Sequence, residues 1–482
     1  MVMDERPVGN LEKLFVVQNR KGMIREFVVA ATYSVPLTVE TLYPALADLV
    51  SNEPLLGANV YKSDTPRPKV RKLARIDLDK VVTFLPHQKF DAQFVDYFFD
   101  SSRPLPYDDD DRPLWRAQVL DSHIVVWSFD HTLFDGSSGV YFHQKLLACL
   151  RRPQIPLKES TVKTSKKPLP ENIENIIDCR PSTPPPSLLR RALRSSRDET
   201  APPEHSSQFV PWAGTSPSWP PRSRTAFLSL PPDKVKDLIR TSRKHGITLT
   251  GLLYSALMQA ILEAIPIGDE TSWRLKTSIP INARRYFPST EPQDGLGCYI
   301  LFHEYDLEVN TYSQDISPGL FVPHWGQKFH FSLHAHSDSP EVPAEWARAI
   351  GEFKNMNMEK TLEDQAQKSE HMAAAEISNI GLVSMDNVPN TVATLDPSAP
   401  QAQITDLWFI QPGVTIGSPI ILSVIGLKNG NTNVALSVAA DDKQASSARN
   451  LLSSLCAVLN DAAGVALPLS VSWGQNYTLS QA

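Results

Sequence analysis

The chain has 482 residues, of which 41% are hydrophobic, and its formal net charge at pH 7 is −6. This length is too great for one ordinary hydrophobic core, so the sequence predicts a globular protein of two or more domains. The acidic balance gives no reason to expect nucleic acid as the main partner. The four cysteines are far apart and form no CxxC pair, so neither a disulfide framework nor a thiolate metal site is indicated.

Neither secretion nor membrane insertion is indicated. The stretch 1–6, MVMDER, lacks the apolar core of a signal peptide. The chain contains no run of about 18 apolar residues, the length expected of a membrane span. We therefore expect a cytoplasmic protein in a reducing environment, without a membrane span.

The first 150 residues contain alternating strand and helix patterns. Residues 26–35 predict a strand, and a helix with a leucine stripe is expected after Thr38. Residues 115–120 and 124–129 predict two neighbouring strands. Apolar residues after Ser137 have helical spacing, so a helix is expected there.

The stretch 151–224 differs from the rest of the chain. It is rich in proline, serine and basic residues, and it shows no strong periodicity. Such a composition is typical of a linker or a lid and not of a core element. We therefore predict an N-terminal domain at 1–150, a crossover linker at 151–224 and a C-terminal domain at 225–482.

The C-terminal part again mixes helices with strands. A helix is expected after Thr248, and its broad apolar face indicates that it is buried. A long, charged and mostly helical region is expected at 344–372. Further strands are expected at 273–281, 298–307, 376–383, 406–410, 419–427 and 433–439, and a closing helix at 444–462.

One short motif, HTLFDG at 131–136, lies directly after the predicted strand 124–129. An unperturbed histidine titrates near about 6.5, so His131 is a candidate general base, and Gly136 is expected to let the backbone bend tightly behind it. The residue types alone also fit a core histidine with satisfied hydrogen bonds. A metal pair of His131 and Asp135 lacks the third ligand that zinc normally needs.

Four histidines lie close together at positions 324, 330, 334 and 336. His330 and His334 are four residues apart, a spacing that can bind zinc on a helix. However, Phe329, Phe331 and Leu333 alternate with histidines, which favours a strand. We therefore expect these histidines to be structural and predict no metal site.

The motif HTLFDG resembles the HxxxDG signature of an acyltransferase superfamily. Its members include the CoA-dependent acyltransferases called BAHD enzymes, the condensation domains of peptide synthetases and the fungal alcohol acetyltransferases. SNIG at 378–381 resembles the SNxG stretch of the alcohol acetyltransferase branch. Other stretches also resemble parts of these proteins: GNLEKLF at 9–15, DRPLWR at 111–116, TLTGLL at 248–253 and INAR at 281–284.

The resemblance covers most of the chain outside the linker and implies both a fold and a reaction. Members of the superfamily have two α/β domains, each like chloramphenicol acetyltransferase, which form a V with a central tunnel. An acyl thioester enters from one side and the acceptor from the other. The motif histidine deprotonates the acceptor, which attacks the thioester directly, without an acyl-enzyme. His131 would therefore be the catalytic base.

The resemblance also implies roles for other residues. The motif aspartate is structural in relatives and pairs with an arginine, so Asp135 is expected to pair with Arg284, or with Arg285 as the alternative. This pair would shape the turn that follows the histidine. Ser378 or Asn379 would donate a hydrogen bond to the oxyanion, unless they only make hydrogen bonds at the end of their strand.

Some features depart from the superfamily patterns. Condensation domains usually carry a second histidine directly before the motif, where this chain has Asp130. The DFGWG stretch of the BAHD enzymes is absent, and 325–326, WG, and 411–413, QPG, resemble it only vaguely. These departures favour the alcohol acetyltransferase branch and leave the CoA site without a motif.

Basic residues of the linker are candidates for binding CoA. They either bind the phosphates of CoA or keep the linker solvated: Lys163, Lys166, Lys167, Arg190, Arg191, Arg194 and Arg197.

We therefore expect a fungal acyltransferase that moves an acyl group, acetyl in the first place, from acetyl-CoA or another acyl-CoA to an alcohol or amine. The expected partners are the acyl-CoA and a small-molecule acceptor of secondary metabolism, and the expected form is a monomer without a metal. The alternative is an enzyme of the same fold that catalyses a CoA-independent cyclisation or another reaction on a natural-product intermediate. CoA binding separates the two, because only acyl transfer needs it.

Overall fold

The computed structural model describes residues 4–153, 155–177, 208–209, 222–264, 272–310, 318–366, 373–389, 401–413, 417–439, 445–464 and 470–473. Its strands are β1 (Glu5–Pro7), β2 (Phe27–Tyr33), β3 (Ala58–Tyr61), β4 (Lys69–Lys72), β5 (Arg75–Asp77), β6 (Val82–Leu85), β7 (Trp115–Leu120), β8 (Ile124–Phe129), β9 (Thr161–Lys163), β10 (Gln208–Phe209), β11 (Ser223–Leu230), β12 (Ser272–Asn282), β13 (Ile300–Asn310), β14 (Ala375–Val383), β15 (Ile404–Ile410), β16 (Ile420–Leu427), β17 (Thr432–Ala439) and β18 (Ser470–Trp473). Its α-helices are α1 (Asn10–Arg20), α2 (Val39–Asn52), α3 (Leu78–Val81), α4 (Ala92–Ser101), α5 (Gly136–Leu150), α6 (Ile173–Ile176), α7 (Pro232–Lys244), α8 (Leu249–Ala264), α9 (Pro323–Ser337), α10 (Val342–Glu352), α11 (Met358–Ala366) and α12 (Ala445–Ala463).

The N-terminal half is built on a mixed sheet with the strand order β15-β2-β8-β7-β6. Strands β6 and β7 are parallel, and the other neighbours are antiparallel. One face packs on α2 and α5 through a continuous apolar core. Trp127 of β8 stacks on Phe142 of α5 with the ring centroids 4.4 Å apart, and both side chains are fully buried. This packing holds the end of β8, where the motif 131–136 begins.

Strand β15 lies in a different sheet from the one that the sequence predicts. The sequence places 406–410 in the C-terminal domain, but β15 pairs antiparallel with β2. Asn433 of β17 donates from Nδ2 to the carbonyl oxygen of Leu407 at 2.6 Å and so ties β15 to the other sheet. The C-terminal part therefore supplies an edge strand to the N-terminal sheet. A local pattern predicts a strand but not its partner.

Part of the predicted linker is packed against the N-terminal half. Strand β9 pairs with β5, and Leu169 and Ile173 are buried. Residues 161–177 therefore contain positions that pack against the N-terminal half, beside others that are exposed. The predicted domain boundaries at 150 and 224 stay predictions, because 178–207 and 210–221 lie outside the described residues. Among the cations considered for CoA, those outside the described residues are Arg190, Arg191, Arg194 and Arg197.

The C-terminal half is built on a larger mixed sheet, with the order β10-β12-β14-β16-β17-β11-β18 and with β13 paired to β12. Helices α8 and α12 cover one face. Helix α8 is buried at every residue from Gly251 to Leu262, which confirms the helix predicted there. Tyr254 of α8 stacks on Phe329 of α9 with the ring centroids 4.0 Å apart.

The segment with four histidines is a helix, so the expectation of a strand is wrong. Helix α9 begins at Pro323, a residue whose fixed φ suits the first helical turn. Trp325 and Phe329, four residues apart, are fully buried, whereas Phe331 is 77% exposed. The apparent alternation misleads because only part of the apolar residues face the core.

The two sheets meet at a seam that contains α4. Phe227 of β11 and Ala435 of β17 lie on the face of the C-terminal sheet opposite α8 and pack with Phe94 of α4 and Ile410 of β15. This face of the C-terminal sheet therefore looks toward the N-terminal half.

No single helix in the described part of the chain is long and apolar enough to cross a membrane. Helices α7 and α8 meet the length and composition criterion only when they are taken together, and they bend by 90° where they join.

Candidate active site

His131 lies in the loop between β8 and α5 and is 7% exposed. Its Nδ1 lies 2.7 Å from the carbonyl oxygen of Phe134. A carbonyl oxygen only accepts, so Nδ1 carries the proton of the neutral ring and Nε2 keeps the free lone pair. Burial lowers the pKa of His131 to about 4, although the bond to Phe134 acts in the opposite direction. The ring is therefore neutral at pH 7, with Nε2 able to accept a proton.

Two aromatic rings hold the imidazole in place. The ring of Phe15, on α1, stacks on His131 with centroids 4.1 Å apart, and the ring of Phe27, on β2, lies at 4.4 Å. The sequence gives no direct indication of these contacts. The only indirect indication in the sequence is that Phe15 lies in the stretch 9–15, which carries part of the family resemblance.

Asp130, which replaces the second histidine of condensation domains, anchors the same loop. Its carboxylate accepts hydrogen bonds from the backbone N–H of Thr132 at 2.8 Å, from the hydroxyl of Tyr107 at 3.1 Å and from Nδ2 of Asn19. Burial raises the pKa of Asp130, and these three donors oppose that shift. Asn19 and Phe15 are four residues apart on α1, so one helix both binds Asp130 and packs on His131.

Asp135 is 1% exposed and caps the N-terminus of α5 by accepting from the backbone N–H of Ser138 at 2.7 Å. Its other oxygen accepts from Nη1 of Arg284 at 2.8 Å and from the backbone N–H of Tyr299 at 2.8 Å. Asp135 makes no hydrogen bond to the imidazole among these contacts, so it is not placed as a triad acid.

Arg284 belongs to the C-terminal half and is 2% exposed. Besides Asp135 it binds the carbonyl oxygens of Gly295 at 3.0 Å and Gly297 at 3.3 Å. Its pairing with Asp135 links the two halves directly behind the loop of His131. Arg285, the alternative partner, is instead half exposed and lies 3.3 Å from Asp338.

The structure gives a steric reason for a glycine at position 136. It is the first residue of α5, and its φ is not in the positive region that only glycine favours. A Cβ there would lie 2.9 Å from Cζ of Phe409 and 3.2 Å from Cδ1 of Ile380. The close approach of β15 and β14 to the helix is therefore a reason for a glycine here, and the predicted tight bend stays a prediction.

Ser378 and Asn379 lie on β14 and differ in their hydrogen bonds. Asn379 donates from Nδ2 to the hydroxyl of Thr250 at 2.9 Å and accepts from the backbone N–H of Gly381 at 2.8 Å. It therefore stabilises a β-bulge in which Gly381 has a φ of +89°. The hydroxyl of Ser378 has no side-chain hydrogen bond to any described residue. Of the two candidates, Ser378 is therefore the one whose hydroxyl remains available to donate a hydrogen bond to a ligand.

A small cavity lies beside His131. Its volume of about 10 Å³ is close to the space that one water molecule needs, and it is lined by His131 and Asp130 together with residues of α1, the segment before β2 and the loop after α4. A groove of about 560 Å³ lies next to it and shares Ser102 and Pro104 with it.

The described residues contain no group of three or more His, Cys, Asp or Glu side chains that could hold a metal ion. On α9 the rings of His330 and His334 lie 4.2 Å apart between centroids, and His303 stacks on His336 at 4.6 Å. These histidines therefore contact one another in pairs, and Nδ1 of His334 also lies 3.7 Å from the carboxylate of Asp338.

Comparison with known proteins gives a family and a fold. A model of the alcohol acetyltransferase family matches residues 7–463. An uncharacterised protein of Schizosaccharomyces pombe is 31% identical over 91% of this chain and 93% of its own length. A probable alcohol acetyltransferase of Aspergillus fumigatus, crmB, is 23% identical over 78% of this chain and 83% of its own length.

Solved structures extend the comparison to the fold. The trichothecene 15-O-acetyltransferase TRI3 of Fusarium sporotrichioides superposes with a TM-score of 0.68 at 12% identity and covers 95% of each chain. The condensation domain of the monacolin K polyketide synthase MokA has a TM-score of 0.54 at 12% identity and covers 97% of this chain and 99% of its own. These matches confirm the predicted condensation-type fold with two chloramphenicol-acetyltransferase-like halves.

Proposed function

Because the chain belongs to the alcohol acetyltransferase family and is therefore an acyltransferase, we propose that it transfers an acyl group from acyl-CoA to a small molecule. The acyl group is acetyl in the first place, and the acceptor is an alcohol or an amine. The similarity of the fold to TRI3, a trichothecene acetyltransferase, supports a natural-product acceptor.

The hydrogen bonding of His131, which leaves Nε2 able to accept a proton, is the observation that supports this proposal most directly. Nδ1 is committed to the carbonyl oxygen of Phe134, so the acceptor hydroxyl donates its hydrogen bond to Nε2. As the acceptor oxygen attacks the thioester carbonyl, its proton moves to Nε2. When the tetrahedral intermediate collapses, the C–S bond breaks and Nε2 returns the proton to the leaving thiolate. The products are the acylated acceptor and free CoA, and no acyl-enzyme forms.

Two further groups have supporting roles in this proposal. The buried pair of Asp135 and Arg284 is a positioning device, because it holds the start of α5 and so the loop that carries His131. Ser378 is the oxyanion donor, because its hydroxyl is not used by a described residue. A preorganised donor of this kind contributes about 3 kcal/mol to stabilisation of the transition state.

We also propose that the enzyme works as a cytoplasmic monomer. His131, Asp135, Arg284 and Ser378 all come from one chain, which supports a site that needs no second copy. No disulfide joins Cys149, Cys298 or Cys456 to another described residue, which fits a reducing compartment.

The test is the release of free CoA from acetyl-CoA in the presence of a panel of alcohols and amines. We expect CoA release that depends on the acceptor and a product whose mass is raised by one acetyl group. A calorimetric titration with CoA is run in parallel. Release that is independent of the acceptor, or the absence of CoA binding, contradicts the proposal, and the second result favours the CoA-independent alternative.

A further inference from the structure

A short row of polar side chains runs along the face of β14 that looks toward the N-terminal half. Ile377 of β14 and Leu422 of β16 lie in the core under α8. Because side chains alternate along a strand, Glu376 and Ser378 lie on the opposite face. Ser378 is the register partner of Ser423, so these two hydroxyls share that face. The same face is apolar further along, at the seam with α4.

The carboxylate of Glu376 is only partly used by the protein. It accepts one side-chain hydrogen bond, from Nε2 of Gln411 at 2.6 Å, although a carboxylate can accept about four. No described cation forms an ion pair with it. Lys276 of β12, the strand next to β14, lies 3.4 Å from Glu304 of β13 and pairs with it.

Glu376 is largely enclosed by protein. Burial raises the pKa of Glu376 to about 7, and the hydrogen bond from Gln411 acts in the opposite direction. The residue as a whole nevertheless keeps part of its surface exposed. A largely enclosed acid without a cation partner among the described residues is a candidate for binding a polar group of a ligand.

Ser423 supplies a second, independent observation on the same face. It is fully buried, and its Oγ has no hydrogen-bond partner. A buried polar atom without a partner is rare in folded proteins and costs stability. Ser423 lies one strand away from Ser378, at the usual spacing of about 4.8 Å.

The row lies within the length of a small molecule from the motif loop. Ile380, on the same face two residues after Ser378, packs against Gly136 at the start of α5. At about 3.3 Å per residue, Ser378 lies about 7 Å and Glu376 about 13 Å along the strand from that contact. The partner of Glu376 gives the same placement, because Gln411 follows two residues after Phe409, which also contacts Gly136.

We propose that Glu376, with Ser423 diagonally across from it on β16, forms an acceptor subsite that binds a second hydrogen-bond donor of the acceptor, a hydroxyl or an ammonium group. This inference rests on the proposed acyl transfer and narrows its acceptor class to diols, polyols and amino alcohols. Along β14, Ser378 lies between Glu376 and the contact with the motif loop, where the reacting carbonyl is placed. A carboxylate suits this role because it accepts from both kinds of donor.

The test compares matched acceptors in the wild type and in Glu376→Leu. The acceptors are a straight-chain monoalcohol, the diol of the same length and the amino alcohol of the same length. We expect the wild type to prefer the diol or the amino alcohol by about tenfold or more in kcat/KM, since buried polar groups penalise a ligand that leaves them unpaired. In Glu376→Leu this preference falls to near one, because kcat/KM for the diol and for the amino alcohol falls toward that for the monoalcohol.

The control is Glu308→Leu, which removes an exposed acid from β13 and leaves the preference unchanged. Glu376→Gln, which keeps the shape and the bond to Gln411, retains part of the preference for the diol and loses that for the amino alcohol. Thermal unfolding of each variant shows that the fold is intact. An unchanged preference in Glu376→Leu, or an equal loss for all three acceptors, overturns the subsite.

Binding of the same three compounds, measured by calorimetry, separates this inference from the proposed reaction. If no acceptor releases CoA but the diol or the amino alcohol binds more tightly than the monoalcohol in a Glu376-dependent way, acyl transfer fails and the subsite stands. If CoA is released and the three compounds bind alike, acyl transfer stands and the subsite fails.

Discussion

The loop that carries His131 and the strand that lies across from it are built in opposite ways. In the loop, Asp130 and Asp135 each accept hydrogen bonds from at least three residues. On β14, Glu376 has one side-chain partner among the described residues, and Ser378 has none. The loop is therefore saturated with protein contacts, whereas the strand keeps polar capacity for something that is not protein. We therefore expect the loss of Asp130 or Asp135 to cost stability, and the loss of Ser378 or Glu376 to cost catalysis or discrimination.

The largest effect on stability is expected from Asp135→Ala. The substitution leaves the buried guanidinium of Arg284 without its carboxylate, and breaking a buried pair from one side costs about 3–5 kcal/mol. Urea denaturation measures this loss of unfolding free energy. The double variant Asp135→Ala/Arg284→Met should lose less than the sum of the single losses. Strict additivity would contradict the pairing.

Ser378→Ala should lower activity and leave the free energy of unfolding nearly unchanged. Loss of an oxyanion donor lowers kcat by about 100-fold or more. Asn379→Ala is the matched control, because its amide already bonds Thr250 and Gly381. It should lower the unfolding free energy by about 1–2 kcal/mol and change kcat much less. The reverse result would exchange the roles of the two residues.

Gly136→Ala should cost about 1–3 kcal/mol, because the new methyl group would meet the ring of Phe409 at 2.9 Å. The measurement is again the free energy of unfolding. Phe409→Leu removes the ring edge and should recover part of that loss in the double variant. If the double variant is no more stable than expected from the separate losses, the crowding of β15 on α5 is not the reason for the glycine.

The smallest expected effect is that of pH on kcat/KM for a monoalcohol. A buried histidine accepts a proton only below its lowered pKa, so the base stays available until the pH falls toward about 4. We expect kcat/KM to change by less than about twofold between about pH 5.5 and about pH 7. An acid limb centred near about 6.5 would show that His131 titrates like a solvated histidine.

Features that depend on neighbouring residues could be predicted from the sequence, and features that depend on distant residues could not. Strands at 115–120 and 124–129 have local alternation, and His131 and Asp135 lie in a motif with fixed spacing, so short stretches suffice for both. The pairing of β15 with β2 depends on residues more than 350 positions apart in sequence, and no local pattern encodes it. The side chains around the base are equally non-local, because Phe15 and Asn19 meet the loop only after α1 has docked.

Glu376 could not be predicted for a related reason. An acid two residues before a serine on a strand is unremarkable in the sequence. Its character arises from enclosure by a second sheet, the single contact with Gln411 and the lack of a cation among the described residues. Burial of this kind is a property of the assembled seam, and the chain segments that form it are far apart in the sequence.

The most direct test of His131 as the base compares kcat/KM for acetyl transfer by the wild type, by His131→Ala and by His87→Ala, whose histidine is exposed. We expect kcat/KM to fall by about 100-fold or more in His131→Ala, with CoA binding retained, and not to fall in His87→Ala. A His131→Ala variant that binds CoA, is folded and transfers acetyl within about threefold of the wild-type rate would contradict the role of His131 as the base.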